Sequence, residues 1–150
     1  MNFGAGISAF LKIDPVNQIL EADKDHGELY LGNIFAAYSE EILTTLKIGA
    51  VLTVADHTDL SFKNRTHKVI KVEDQETENL GKYFDEMVEF IEENRRKMVN
   101  VLVHCFAGVS RSSSAVIAYL MKYLGWDYSR AFSHCKRKRF VVYPNSGFVR

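Results

Sequence analysis

The sequence predicts a single α/β domain, a mainly parallel central sheet flanked by helices, and three observations point to it. From Glu28 onward, short β-rich runs alternate with amphipathic helical segments. One run, "NVLVH", has the almost continuous apolar character of a strand covered on both faces. The 150 residues, 47% hydrophobic and 25% charged, are enough for one substantial core and short for two.

The elements follow in order. Residues 1–27, with the turn-rich "DPVNQILEADKDHG", are read as an N-terminal extension packed on a domain spanning residues 28–150. "ELYLG" (28–32) and "AVLTVA" (50–55) read as strands. Between them a helix is expected over residues 39–47, with Ser39 as its cap and Gly49 just past its end. "HKVIKV" (67–72) is a third strand. Leu80, Tyr83, Phe84, Met87, Val88 and Ile91 then recur at helical spacing, and the cations of "ENRRK" suit a helix C-terminus. After the strand at 100–104, an apolar helix runs from 112 to Gly125, and a last helix starts at Asp127 as N-cap.

A net charge of zero conceals a strong asymmetry. Residues 1–93 hold 18 acids and 8 bases, whereas residues 94–150 hold 11 bases and a single acid, Asp127. An anionic partner is therefore expected on the C-terminal portion. The two cysteines, Cys105 and Cys135, and the lack of a leader-like start suit a cytoplasmic protein with reduced thiols. No membrane association is expected.

The chemistry is concentrated in "HCFAGVSRSS", residues 104–113, which lies between the apolar strand and the apolar helix. A loop beyond the carboxyl end of a parallel strand is where open α/β sheets place ligands. When such a loop leads directly into a helix, its inward-facing N–H groups form an anion site. The backbone of Phe106, Ala107, Gly108, Val109, Ser110 and Arg111 would cradle the anion, with Ala107, Gly108 and Ser110 small enough to allow close approach. The Arg111 guanidinium can fork onto two of the anion's oxygens. Thiolates are the reactive form of cysteine, and helix N-termini and cations favour them. Cys105 is accordingly the expected nucleophile under a bound phosphate, with Ser112 donating to its sulfur and His104 bracing the loop without acting as a base.

Composition alone yields a His-Cys pair with Gly three and Arg six residues after the cysteine in roughly one chain in five thousand. The second pair, His134 and Cys135, has Val141 at the corresponding place and is expected to be helix packing. Neither a metal nor a cofactor is expected, since adjacent His and Cys seldom share one tetrahedral ion and no CxxC occurs.

The loop resembles the His-Cys-five-residues-Arg-Ser/Thr signature of the cysteine-dependent protein tyrosine phosphatase superfamily, and specifically the "AGxSRS" variant of dual-specificity protein phosphatases. "LYLGNIFAA" resembles that family's opening strand, and "YPNSGF" its Asn-x-Gly-Phe segment, so the likeness runs from about Glu28 onward. It implies hydrolysis of phosphotyrosine and phosphoserine or phosphothreonine monoesters through a phosphocysteine, on phosphoprotein substrates and not nucleic acid. It also implies an aspartate on a loop after a strand, some thirty residues before the cysteine, as acid and then base. Asp74 matches, 31 residues ahead of Cys105, with Glu73 and Glu76 as alternatives. Asn145 resembles a structural residue of that family that hydrogen-bonds around the loop, and the fold that the resemblance implies is the cysteine-phosphatase fold.

The cations of "CKRKRF" (135–140) are read first as a solvated helix end. A nuclear address or a contact for a second substrate phosphate are the sharper readings. Tyr38 and residues 57–60 border the cleft or serve packing. Two other functions stay open: a phosphoinositide or RNA 5′-phosphatase on the same fold, and a phosphoprotein-binding module without turnover.

Overall fold

The computed structural model describes residues 14–56, 58–72 and 80–144. Five strands form one sheet: β1 (Val16–Leu20), β2 (Leu29–Gly32), β3 (Ile48–Val54), β4 (Thr66–Ile70) and β5 (Asn100–His104). Their order is β1-β2-β5-β3-β4, with β1 antiparallel to β2 and the other neighbours parallel. The central strand β5 is apolar up to His104 because it is covered on both faces.

Side-chain alternation divides the interior into two layers. Leu29, Leu31, Ala50, Leu52, Val54, Val101 and Val103 face one side, covered by α3 (Phe84–Arg95), α4 (Arg111–Leu124) and α5 (Tyr128–Lys138). Tyr30, Val51 and Leu102 face the other, covered by two short helices, α1 (Ile34–Tyr38) and α2 (Glu40–Thr45). Helix α4 lies between α3 and α5 and is buried over most of its length, which explains its apolar sequence.

Several boundaries differ from the sequence expectation. Within residues 14–27, Val16–Leu20 forms the edge strand, seated by pairing with β2 and by α5 packing over it. Residues 34–38 form α1, capped by the Asn33 side chain on Ala36 N, so the strand-like run ends at Gly32. Helix α2 starts at the expected Ser39 cap, which accepts from Ile42 N. Its end is turned by Lys47, whose φ is 56°, and not by Gly49. Gly49 lies within β3, where register with β5 begins at Ile48 and where an added Cβ would come 2.8 Å from Val99 Cγ1.

The helix expected from Leu80 opens as a 3-10 turn, Leu80–Tyr83, before α3 proper. At its end Arg95 is buried, donating to Gly27 O at 2.7 Å and Tyr119 Oη at 2.9 Å, instead of staying in water. Gly125, at φ 70°, closes α4, and the Asp127 side chain caps α5 at Arg130 N.

Candidate functional site

Strand β5 delivers His104 and Cys105 to the carboxyl edge of the sheet, and α4 begins six residues later at Arg111. The intervening loop is held tightly. Gly108 has φ 70°, a conformation costly for residues with a Cβ, and an added Cβ would lie 2.6 Å from Gly32 O. That conformation carries the Gly108 N–H to the Cys105 sulfur at 3.2 Å. Ser112, in the first turn of α4, places its Oγ 3.0 Å from the same sulfur. Cys105 is 2% exposed, so sulfur, amide and hydroxyl form a compact buried cluster at a helix N-terminus.

Two further serines close the turn into the helix. Ser113 Oγ donates to Val109 O at 2.7 Å, and Ser114 Oγ to Ser110 O at 3.0 Å. Phe106 and Ala107 are exposed, and Phe106 O accepts from Ile34 N at 2.9 Å, tying the loop to α1.

Arg111 is 7% exposed, and its Nη1 donates to Val72 O at 3.0 Å and to Asp56 Oδ1 at 3.3 Å. Among the described residues, its Nε is a buried side-chain donor without a hydrogen-bond partner. A phosphoryl oxygen is the kind of acceptor that satisfies such a donor. Val72 ends the chain segment that leads to residues 73–79, so Arg111 also anchors the root of the acidic stretch. Asp74, with Glu73 and Glu76, lies outside the described residues, as do His57 and Asn145.

His104 is fully buried and placed behind the loop. Its Nδ1 stands 3.2 Å from Cys105 O and its Nε2 2.7 Å from Thr53 Oγ1. Burial pushes its pKa down to about 4, so the ring is neutral near neutral pH.

Residues 29–150 match the family described as dual specificity phosphatase, catalytic domain. The chain belongs to that family. It is 45% identical over 127 residues to dual specificity protein phosphatase 1 of Arabidopsis thaliana, covering 81% of this chain and 62% of that one. It is 38% identical to the Arabidopsis protein 1B, covering 88% and 82%. To the mouse protein phosphatase Slingshot homolog 3 it is 38% identical, covering 92% of this chain and 22% of the relative. Among solved structures, DUSP15 superposes with TM-score 0.79 at 32% identity, covering 84% of this chain and 81% of that one. A human tyrosine phosphatase-like serine/threonine/tyrosine-interacting protein superposes with TM-score 0.81 at 29% identity, covering 89% and 90%.

In this dual specificity phosphatase domain, the structure adds residues that sequence reading passed over. Arg139 comes from "CKRKRF", yet it is 2% exposed and not a solvated helix end. It donates to Gly108 O at 2.9 Å, Asp14 O at 2.7 Å and Asn17 Oδ1 at 2.8 Å, linking the loop to the start of β1. Burial lowers its pKa, opposed by the charges of Cys105 and Asp14. The signal was available, because Ala131 and Cys135 form the buried stripe of α5 and Arg139, the residue that caps its end, continues their four-residue spacing. Lys136 reaches Val142 O, while Arg137 and Lys138 are exposed.

Tyr143 N donates to Val109 O at 2.8 Å, so the segment after α5 straps the loop from outside. Asp56, which pairs with Arg111, had no marker beyond its place just after β3. The exposed Tyr38 ring donates from Oη to Asp59 Oδ1, joining α1 to the segment after β3. Cys135 sits fully buried in the core cluster of α4 and α5, and burial pushes its thiol up to about 12. Its neighbour His134 bonds Ile19 O at 2.7 Å and packs edge-on to Trp126.

Proposed function

We propose that this chain is a dual-specificity protein phosphatase that hydrolyses phosphotyrosine and phosphoserine or phosphothreonine monoesters through a phosphocysteine. The chain spans about three fifths of the first Arabidopsis relative and about a fifth of the Slingshot relative, so the activity is argued from the residues of this domain. The observation that carries it is the Cys105 sulfur, held at 3.2 Å from the Gly108 N–H and 3.0 Å from Ser112 Oγ, at the N-terminus of a long buried helix.

In the first step Cys105 Sγ attacks phosphorus and forms the S–P bond as the ester P–O bond breaks. The Asp74 carboxyl gives its proton to the departing oxygen. The backbone from Phe106 to Arg111 and the Arg111 guanidinium hold the phosphoryl oxygens as charge develops on them. In the second step water attacks the phosphocysteine, its proton passing to the Asp74 carboxylate, and the S–P bond breaks with Ser112 donating to the leaving sulfur. His104 and Asn145 support the loop. The catalytic unit occupies residues 28–150, and the segment before it contributes β1 (Val16–Leu20). Two free, buried cysteines suit a cytoplasmic setting, and no helix among the described residues is long and apolar enough to cross a membrane.

An aryl phosphate assay tests this. Hydrolysis is expected to survive a chelator, to be blocked by vanadate, and to vanish in Cys105→Ser. Asp74→Asn is expected to lower turnover strongly with phosphate affinity largely kept. A fully active serine variant would exclude the covalent route, and binding of phosphopeptide without any turnover would favour the binding module instead.

A further inference from the structure

Behind the catalytic loop three polar side chains stand in line across adjacent strands β4, β3 and β5, on the sheet face covered by α1 and α2. His67 Nε2 lies 2.8 Å from Thr53 Oγ1, which lies 2.7 Å from His104 Nε2. The far ring nitrogen of His104, Nδ1, reaches Cys105 O at 3.2 Å. Thr53 and His104 are both fully buried, and His67 is half-buried, edge-on to Phe62 with ring centroids 4.8 Å apart.

The chemistry of these groups assigns every proton in the line. A carbonyl oxygen can only accept, so His104 Nδ1 carries the hydrogen. A neutral imidazole has one N–H, which leaves Nε2 as an acceptor and makes Thr53 its donor. The single hydroxyl proton is then used, so Thr53 Oγ1 accepts from His67 Nε2–H. The direction runs from the half-buried His67 to the backbone of the nucleophile, and it depends on each member.

We propose that Thr53 and His67 are positioning residues for the phosphatase reaction, holding His104 in its Nδ1–H tautomer so that its ring clamps the Cys105 carbonyl. The inference rests on the phosphatase function proposed above. The peptide from Cys105 to Phe106 is planar and trans, so its C=O and N–H point in opposite directions. Fixing the Cys105 carbonyl toward His104 therefore fixes the Phe106 N–H away from it, and that amide is the first phosphate donor of the loop. In the opposite tautomer the Nδ1 lone pair would face the carbonyl lone pairs, and the clamp would be lost.

Nitrogen-15 NMR of the imidazoles needs no substrate and reads the tautomers directly. At neutral pH the unaltered protein is expected to show His104 as Nδ1–H and His67 as Nε2–H. Thr53→Val removes the hydroxyl at nearly constant shape. It is expected to give His104 a mixture of tautomers and to lower kcat on an aryl phosphate roughly tenfold with KM little changed, a loss that corresponds to one buried hydrogen bond. Thr53→Ser is expected to restore both readouts. His67→Phe should lower kcat by a smaller factor, and His67→Gln, whose amide offers a donor, should recover most of it.

His104 found as Nε2–H in the unaltered protein would overturn the proposal. So would Thr53→Val with an undisturbed His104 signal and unchanged kcat. If Thr53→Val does not fold, the unaltered spectrum and the half-buried His67 variants decide the question in the same terms. An unaltered protein with the expected tautomers but no hydrolysis would overturn the phosphatase function alone, whereas active protein with the opposite tautomer would overturn the relay alone.

Discussion

Ser112 shows how much one side chain can decide. Its hydroxyl lies 3.0 Å from the Cys105 sulfur, close enough to donate to a sulfur that departs as thiolate. In the proposed mechanism its donation matters most in the second step, when the sulfur leaves phosphorus. Ser112→Ala is therefore expected to slow the second step, by roughly ten- to a hundredfold for a hydrogen bond to a charged group. Rapid-quench measurement should show a burst of leaving group equal to the enzyme concentration, followed by slow turnover. Equal slowing of the burst and the steady state would contradict this division of labour. The contact between Ser112 and Cys105 was legible because both fall within ten consecutive residues, where local geometry brings them together. Gly108 was legible only as a small residue. The lack of room for a Cβ there, with Gly32 O 2.6 Å from where it would stand, comes from β2 passing beside the loop.

At the scale of elements, the loop is held from three sides by parts of the chain far apart in sequence. Helix α1 donates Ile34 N to Phe106 O, the segment after α5 donates Tyr143 N to Val109 O, and the residue capping the end of α5, Arg139, donates to Gly108 O. Arg139→Met would keep most of the apolar stem but strand the Gly108 and Asp14 carbonyls in the interior. The expected cost is on the order of 3 kcal/mol in folding free energy, read by urea denaturation, with turnover reduced more than substrate affinity. A variant as stable and as active as the parent would show that the arginine is not a support. Helix starts were readable at two of the caps, Ser39 and Asp127. Short α1 escaped reading because its five residues sit within a run of mixed β and helical preference.

At the scale of the molecule, buried histidines tie stability to pH. Burial holds His104 neutral with a pKa of about 4, well below the unfolded value of 6.5, and burial lowers that of His67 in the same sense. Between about pH 6.5 and 4 the unfolded chain binds more protons than the folded one, so stability falls as pH falls. The contribution of His104 is complete above about pH 6.5 and gone below about pH 4, amounting to about 3 kcal/mol. Asp23 and Glu40, whose pKa values hydrogen bonds lower from 3.8 and 4.5, act in a separate, more acidic window. The melting temperature is expected to fall between pH 7 and 5, and to fall less in His104→Asn. A flat profile over that range would contradict the assignment.

The sequence by itself determined the α/β class, the alternation of strands and helices from Glu28, and the placement of Cys105, a loop of small residues and Arg111 on one strand-loop-helix unit. These are properties of neighbours along the chain, and periodicity, caps and spacing are written in neighbours. Only the tertiary structure decided that β1 completes the sheet, that Arg139 belongs to the interior, that Asp56 pairs with Arg111, and that Thr53 and His67 stand behind His104. Each of those contacts joins parts of the chain that are not neighbours in sequence. Their energies arise from burying polar groups that must then find partners, and which partners are within reach is settled only when the strands have taken their order.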